Sequence, residues 1–147
     1  MNSHTPVVEE LEQLLSTHGE VLQALLQPLW PINPFKVEQF GPLTKYTLGQ
    51  MPDGRWAMLH RLTEADTGSP HDHPTRMDSH VLKGAYWEII YHEDGRTERV
   101  LRAAGGYHTI WPHTVHRIVE LPEGECWTLV LAGPVVREWR HYPELVG

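Results

Sequence analysis

Two histidines at i and i+2 in a proline-bounded segment, Pro70-His71-Asp72-His73-Pro74, have types and spacing suited to chemistry. On an extended backbone, positions two apart project to the same side, so both imidazoles can reach one point. A third nitrogen must come from elsewhere. The best source is Tyr107-His108-Thr109-Ile110-Trp111-Pro112-His113-Thr114-Val115-His116, which follows Gly105-Gly106. Imidazole suits Fe, Zn, Ni and Cu without a charged ligand, and three imidazoles leave coordination positions open for a substrate or O2. A site closed by protein side chains would be structural; this pattern predicts an open one. The chain has 11 histidines in 147 residues, several within three positions of another, which prompts the same search for a metal site.

Two arginines flank the segment. Arg61 lies on the run before it and Arg76 just after His73-Pro74. Either guanidinium would offer a two-pronged hydrogen-bond fork to a substrate carboxylate. Arg61 is the better candidate, because a strand holds a side chain more firmly than a turn does. Tyr86, Trp87, Trp111 and Trp127 occupy strand positions that either wall an apolar pocket or fill the core. His4, His18, His92 and His141 fall near termini, helix ends or turns and are expected in solvent. His60, His80 and His108 lie on strands and face either the interior or the outside.

Such a site needs a rigid frame, and the periodicity predicts one. Val8, Leu11, Leu14 and Leu15, then Val21, Leu22, Leu25 and Leu26, recur at three- and four-residue spacing and predict helix over 6–27. Thr5 is placed to cap it with Pro6 at the first helical position, and His18-Gly19 divides it into two short helices. Its apolar stripe is expected to pack on a barrel. Pro28, Pro31 and Pro34 exclude regular structure around Trp30. From residue 36 the pattern becomes short β runs at 36–40, 44–48, 56–62, 80–91, 96–102, 108–111, 115–121, 127–131 and 135–139. Their separators, such as Pro52-Asp53-Gly54, Asp94-Gly95 and Pro122-Glu123-Gly124, are turn formers. About nine strands with no intervening helix predict an all-β antiparallel barrel or sandwich. A single domain is expected, with residues 1–35 as a helical extension and 36–147 as the barrel.

Composition sets the outer limits. The chain is 40% hydrophobic and 21% charged, an ordinary globular balance. A net charge of −7 argues against nucleic acid as a partner, because phosphate binding needs a basic surface. Arg96, Arg99 and Arg102 cluster, but Glu93, Asp94 and Glu98 are interleaved with them, as in a solvated hairpin. No run approaches the roughly 18 apolar residues of a membrane span. The first apolar stretch is broken by Glu9, Glu10 and Glu12, unlike an export signal. Cys126, the single cysteine, cannot form an intramolecular disulfide and is expected as a small buried residue. The expected setting is the cytoplasm, with a small molecule as the partner and neither membrane nor nucleic acid.

The motifs resemble those of the cupins. His71-x-His73 followed by Gly84 is similar to the first cupin motif, and Gly106 with Pro112 and His116 is similar to the second. The resemblance spans about residues 44 to 140. It implies a jelly-roll barrel, or double-stranded β-helix, holding one divalent metal on His71, His73 and His116. It is strongest toward the small HDHP-type cupins related to thiol dioxygenases. Trp127 to Pro134, then Arg137-Glu138-Trp139, also resembles a group of uncharacterised bacterial and phage cupins. For function, the resemblance implies an Fe(II)-dependent oxygenase acting on a small polar or carboxylate substrate with O2. Fe(II) is the metal it favours, with Zn, Ni or Mn as alternatives. Many small cupins associate through edge strands or N-terminal segments, so a homodimer is implied by the same analogy.

Departures from the family pattern narrow these expectations. Many cupins add a Glu ligand four or five residues after the second histidine, where this chain has Met77 and Asp78. Counting back from Gly84 turns Met77 inward, whereas counting forward from His73 can turn Asp78 inward. Asp78 is therefore a candidate fourth ligand beside a three-histidine site. The second motif is one residue short between Pro112 and His116, which makes His113 a rival third ligand. The Ser-x-His-x-Tyr set of the thiol dioxygenases is replaced by Thr128-Leu129-Val130-Leu131-Ala132-Gly133. Leu48 stands where those enzymes hold the substrate carboxylate. A cysteine dioxygenase proper is not expected. Two other readings stay open: a redox-neutral lyase, isomerase or dehydratase with the metal as Lewis acid, and a non-catalytic metal- or ligand-sensing cupin.

Overall fold

The computed structural model describes residues 6–65 and 68–146, with side chains from residue 9 onward. The helical region α1 (Pro6–Leu25) consists of two helical segments that meet at a kink at His18, whose φ of −122° and ψ of 17° are non-helical. The break expected at His18-Gly19 is thus present, and the apolar stripe continues on the same side of both helical segments and keeps them on one surface. The expected Thr5 cap lies outside the described residues. A 3-10 turn at Gln27–Leu29 ends the helical part. Among the described residues, no helix is long and apolar enough to cross a membrane.

Eight strands follow: β1 (Lys36–Phe40), β2 (Leu43–Gln50), β3 (Trp56–Leu62), β4 (Met77–Tyr91), β5 (Thr97–Ala103), β6 (Tyr107–Ile110), β7 (Val115–Glu120) and β8 (Cys126–Ala132). They run in the order β1-β2-β3-β8-β4-β5, with β6 and β7 also paired to β4. All pairings are antiparallel. The long β4 organises the fold. Its first half pairs with β6 and β8, and its second half pairs with β5 and β7. Between the halves the register shifts at Val81/Lys83 and the backbone turns at Gly84, with φ +79°. A Cβ at Gly84 would run into the Glu125 carbonyl, so only glycine permits this close approach of backbones.

The run at 135–139 is not a ninth strand. Gly133-Pro134 ends β8, and proline brings no N–H to continue a ladder. Instead the chain crosses the histidine loop as a strap held by single bonds. Val136 N–H donates to the Pro74 carbonyl at 2.8 Å, and Tyr142 N–H donates to the Pro70 carbonyl at 2.7 Å.

Strand alternation separates two interiors. Trp127, Leu129 and Leu131 of β8 face Leu11, Leu14, Leu22 and Leu26, in a cluster that also takes in Tyr46, Leu48 and Leu59. Leu22 and Leu26 are fully buried, each worth about 1.5–3 kcal/mol of transfer free energy. Trp127 stacks on Tyr46 at 5.6 Å, so it belongs to this core. So does Leu48, which the family pattern had assigned to substrate. The alternate residues of β8, Cys126, Thr128 and Val130, face a cavity on the other side.

Candidate metal centre

The loop carrying His71 and His73 is laid against the start of β7 by backbone pairing. His71 and His116 exchange N–H···O=C bonds of 3.1 Å in both directions, and His73 N–H donates to the Pro112 carbonyl at 3.1 Å. One ring nitrogen from each of His71, His73 and His116 then lies within 4.8 Å of the others. Nε2 of His73 is 3.0 Å from Nε2 of His116. Two nitrogens roughly 2.1 Å from a shared ion, at angles of about 90° to 110°, sit about 3.0–3.4 Å apart. The spacing therefore fits one ion. Burial, then the neighbouring His116 and His71, pushes the His73 ring down to about 3. It stays neutral and keeps a lone pair for coordination.

A second layer orients this set. His116 Nδ1 lies 2.6 Å from Glu88 Oε1. A carboxylate can only accept, so Nδ1 carries the proton and Nε2 offers its lone pair to the cluster. Arg102 Nε donates to Glu88 Oε2 at 2.7 Å, and His108 Nε2 stands 3.9 Å from that oxygen. Burial by itself would raise the carboxyl of Glu88, which is 1% exposed, but His116 and Arg102 outweigh that and hold it at about 2. The register explains the contact. Ile90 pairs with His116 and Glu88 with Ile118, so Glu88 and His116 are diagonal neighbours on one face. Sequence reasoning passed over Glu88, whose one signal was an acid two places after Tyr86 on an alternating strand. It also put Arg102 in a solvated hairpin. Arg96 and Arg99 do pair with surface acids, Asp94 and Glu120, but Arg102 turns inward.

Other candidates are placed elsewhere. Asp78 faces outward, accepting from Thr109 Oγ1 at 2.8 Å and Arg55 Nη1 at 3.0 Å, so its carboxylate is not available as a fourth ligand. Met77 and Ser79 line the cavity instead, as does Tyr86, the switch from odd to even positions lying across the register shift at Val81/Lys83. His113 is exposed in the turn before β7 and lies outside the convergent set. Arg61 faces α1, bound to Glu10 at 3.1 Å and Glu125 at 2.7 Å. Arg76 is exposed, beside Asp78 and 4.7 Å over the Trp111 ring. Neither arginine lines the cavity, so neither is placed to hold a substrate there. Of the four aromatics, only Tyr86 does. Trp87 lies under Arg99, and Trp111 is exposed.

The three histidines open into a cavity of about 360 Å³. Its apolar wall includes Leu43, Leu62, Ile110, Ile118 and Val130, and its further polar groups are His60, Ser79, Tyr86, Thr128 and His141. Among the described residues, no Lys, Arg, Asp or Glu lines it. The strap forms part of the rim. Trp139 stands edge-on to His71 at 5.7 Å and 4.8 Å from His141, which is exposed as expected and also borders the cavity. Asp72, between His71 and His73, anchors this strap from a fully buried position. It accepts from Arg140 N–H at 2.8 Å and the Tyr142 hydroxyl at 2.9 Å, and pairs with Arg137 at 2.8 Å. Asp72→Asn should cost about 1.5–3 kcal/mol, the range for bonds to a charged group. Limited proteolysis should then cut within 134–142 faster while metal content holds. Metal loss as complete as in a histidine variant would show that Asp72 supports the ligand loop instead.

No protein-family model matches the chain, and no curated protein matches its sequence. Solved structures match its fold. The polyketide cyclase RemF from Streptomyces resistomycificus is 25% identical with a TM-score of 0.56, over 72% of this chain and 78% of that one. Hydroxypropylphosphonic acid epoxidase from S. wedmorenis, in complex with fosfomycin, is 10% identical with a TM-score of 0.54, over 67% and 55%. A variant of oxalate decarboxylase from Bacillus subtilis is 16% identical with a TM-score of 0.58, over 76% and 32%. At the two lower identities the likeness carries the fold alone. These neighbours are enzymes of the cupin fold, and they do not show the thiol-dioxygenase likeness. This chain has the cupin fold, an antiparallel β architecture with a short N-terminal helix, and inside it three histidines converge as a set that could hold a metal ion.

Proposed function

We propose that this chain is a metal-dependent enzyme for a neutral, largely apolar substrate bearing carbonyl or hydroxyl oxygens, with redox-neutral chemistry of the lyase, isomerase or cyclase kind. The cavity carries this reading: three convergent imidazoles share it with apolar walls, and no charged side chain among the described residues lines it. Apart from an ion on the histidines, a carboxylate buried there would meet no cationic side chain among the described residues, and any part of its charge held away from the ion would suffer a desolvation penalty. The likeness to a polyketide cyclase, at 25% identity, supports the same direction. The lone cysteine, which is buried, is consistent with a cytoplasmic setting.

His71, His73 and His116 would hold the ion, which when bound supplies Lewis-acid polarisation of a substrate oxygen. Glu88 keeps His116 in the tautomer that presents Nε2. The apolar wall excludes water and so strengthens each remaining polar contact. Burial raises the Tyr86 hydroxyl well above its ordinary value, so this group on the cavity wall stays protonated. An Fe(II)-oxygenase reading keeps one specific support, the all-imidazole set with room for O2.

Metal identity and O2 demand separate the two. Protein loaded with Zn, Mn or Fe(II) should convert an aryl β-diketone under anaerobic conditions, read as loss of the enol absorbance. Chelation and His73→Ala should each abolish the conversion. Turnover that requires both Fe(II) and O2 would transfer the assignment to the oxygenase.

A further inference from the structure

On β3, alternation turns His60 and Leu62 into the cavity while Leu59 and Arg61 face α1. His60 sits opposite Thr128 of β8, which also lines the cavity. Its Nε2 is out of solvent and has no hydrogen-bond partner among the described residues. Burial, with the nearby Lys45, pushes the ring down to about 4, so it is neutral at ordinary pH.

Unpartnered buried polar atoms are few in native proteins, and each lowers stability unless something supplies its partner. Among the described residues, two other side-chain atoms share this condition. His73 Nδ1 is on a histidine of the convergent set, whose Nε2 faces His116, and Arg117 lies outside the cavity lining. His60 alone is part of the cavity wall but not of the ligand set. A neutral imidazole has one donor and one acceptor nitrogen. A hydroxyl both donates and accepts, so it satisfies Nε2 in either tautomer.

We propose that His60 is a substrate-binding residue whose Nε2 pairs with a hydroxyl, enol or carbonyl oxygen of the substrate. That gives the ligand a second polar attachment besides the three-histidine centre and so fixes its orientation. The inference deepens the proposed function and rests on it in requiring a neutral, apolar, oxygen-bearing ligand.

Naphthalene and 1-naphthol are matched probes, sharing one apolar body and differing by a hydroxyl. Metal-loaded wild-type protein should bind 1-naphthol about 3- to 10-fold more tightly than naphthalene. His60→Phe should erase that preference by weakening 1-naphthol alone. Its metal content should be unchanged, and its Tm should rise by about 2–6 °C because an unpartnered buried polar atom is gone. His60→Gln, which keeps a donor and an acceptor, should recover part of the preference. In wild-type protein the His60 Nε2 resonance should move in 15N NMR with 1-naphthol and not with naphthalene. An unmoved resonance overturns the inference even if the variants fail to fold. So does a preference that survives in His60→Phe, or equal loss of both probes, which marks a packing role; in each case the cavity reading stands. Failure of wild-type protein to bind either probe overturns the proposed function and this inference with it.

Discussion

His73→Ala should strip the protein of most of its bound metal, measured by elemental analysis after dialysis, and His71→Ala and His116→Ala should do the same. The three ring nitrogens lie within 4.8 Å of one another, and two of them are 3.0 Å apart. Any one truncation leaves two imidazoles and a wider opening to water. The loss should exceed the roughly 10- to 100-fold that follows from disturbing a residue behind a ligand. Asp78→Ala and His113→Ala serve as controls. Asp78 is engaged by Arg55 and Thr109, and His113 is exposed, so both variants should keep full occupancy. If His116→Ala retains metal while His113→Ala loses it, the third ligand is His113 and the proposed centre is wrong.

Glu88→Ala should be the most damaging change outside the ligands. It leaves the His116 Nδ1–H and the Arg102 guanidinium without their shared acceptor. Removing one partner of a buried pair costs about 3–5 kcal/mol. Arg102 keeps 25% of its side chain exposed and can find water, which places the loss toward the low end. Metal affinity should fall about 10- to 100-fold, because His116 is no longer held in the right tautomer. Glu88→Gln is gentler: it accepts from one neighbour but presents an amide donor to the other. Denaturant midpoints and metal titrations read the two effects apart. Destabilisation with an unchanged metal Kd would make Glu88 a structural residue only. The pH arm has a definite sign. The Glu88 carboxyl titrates near 4.5 ordinarily and at about 2 in the fold, so between them the unfolded chain binds the extra proton. Its contribution is complete above about 4.5 and fades as pH falls toward about 2, and Glu88→Gln should flatten that part of the profile.

Much of this protein was determined by patterns that a single strand or helix carries within itself. The leucine stripe from Leu11 to Leu26 specified a helix and its buried face, because side chains three and four apart share one side whatever they pack against. The alternating runs that became β1 and β3 did so within their expected limits. The i, i+2 spacing of His71 and His73 turned both rings one way, and Gly84 marked the place where two backbones approach too closely for a Cβ.

Facing and partnership were decided only by the tertiary structure. A register shift of one residue exchanges the two faces of a strand. Whether Met77 or Asp78 points inward therefore depended on the irregularity at Val81/Lys83, which arises where β4 meets β8. Arg61 could have faced the cavity until α1 brought Glu10 to the opposite side of β3. The run at 135–139 has the β-branched and aromatic residues of a strand, yet the buried Asp72 collects it as a strap through bonds to Arg137, Arg140 and Tyr142, which lie 65 or more positions along the chain. The Glu88 acceptor for His116 likewise bridges 28 positions. Local spacing fixes which way a side chain leaves its own strand, but a buried charge is tolerated only where the fold delivers its partners.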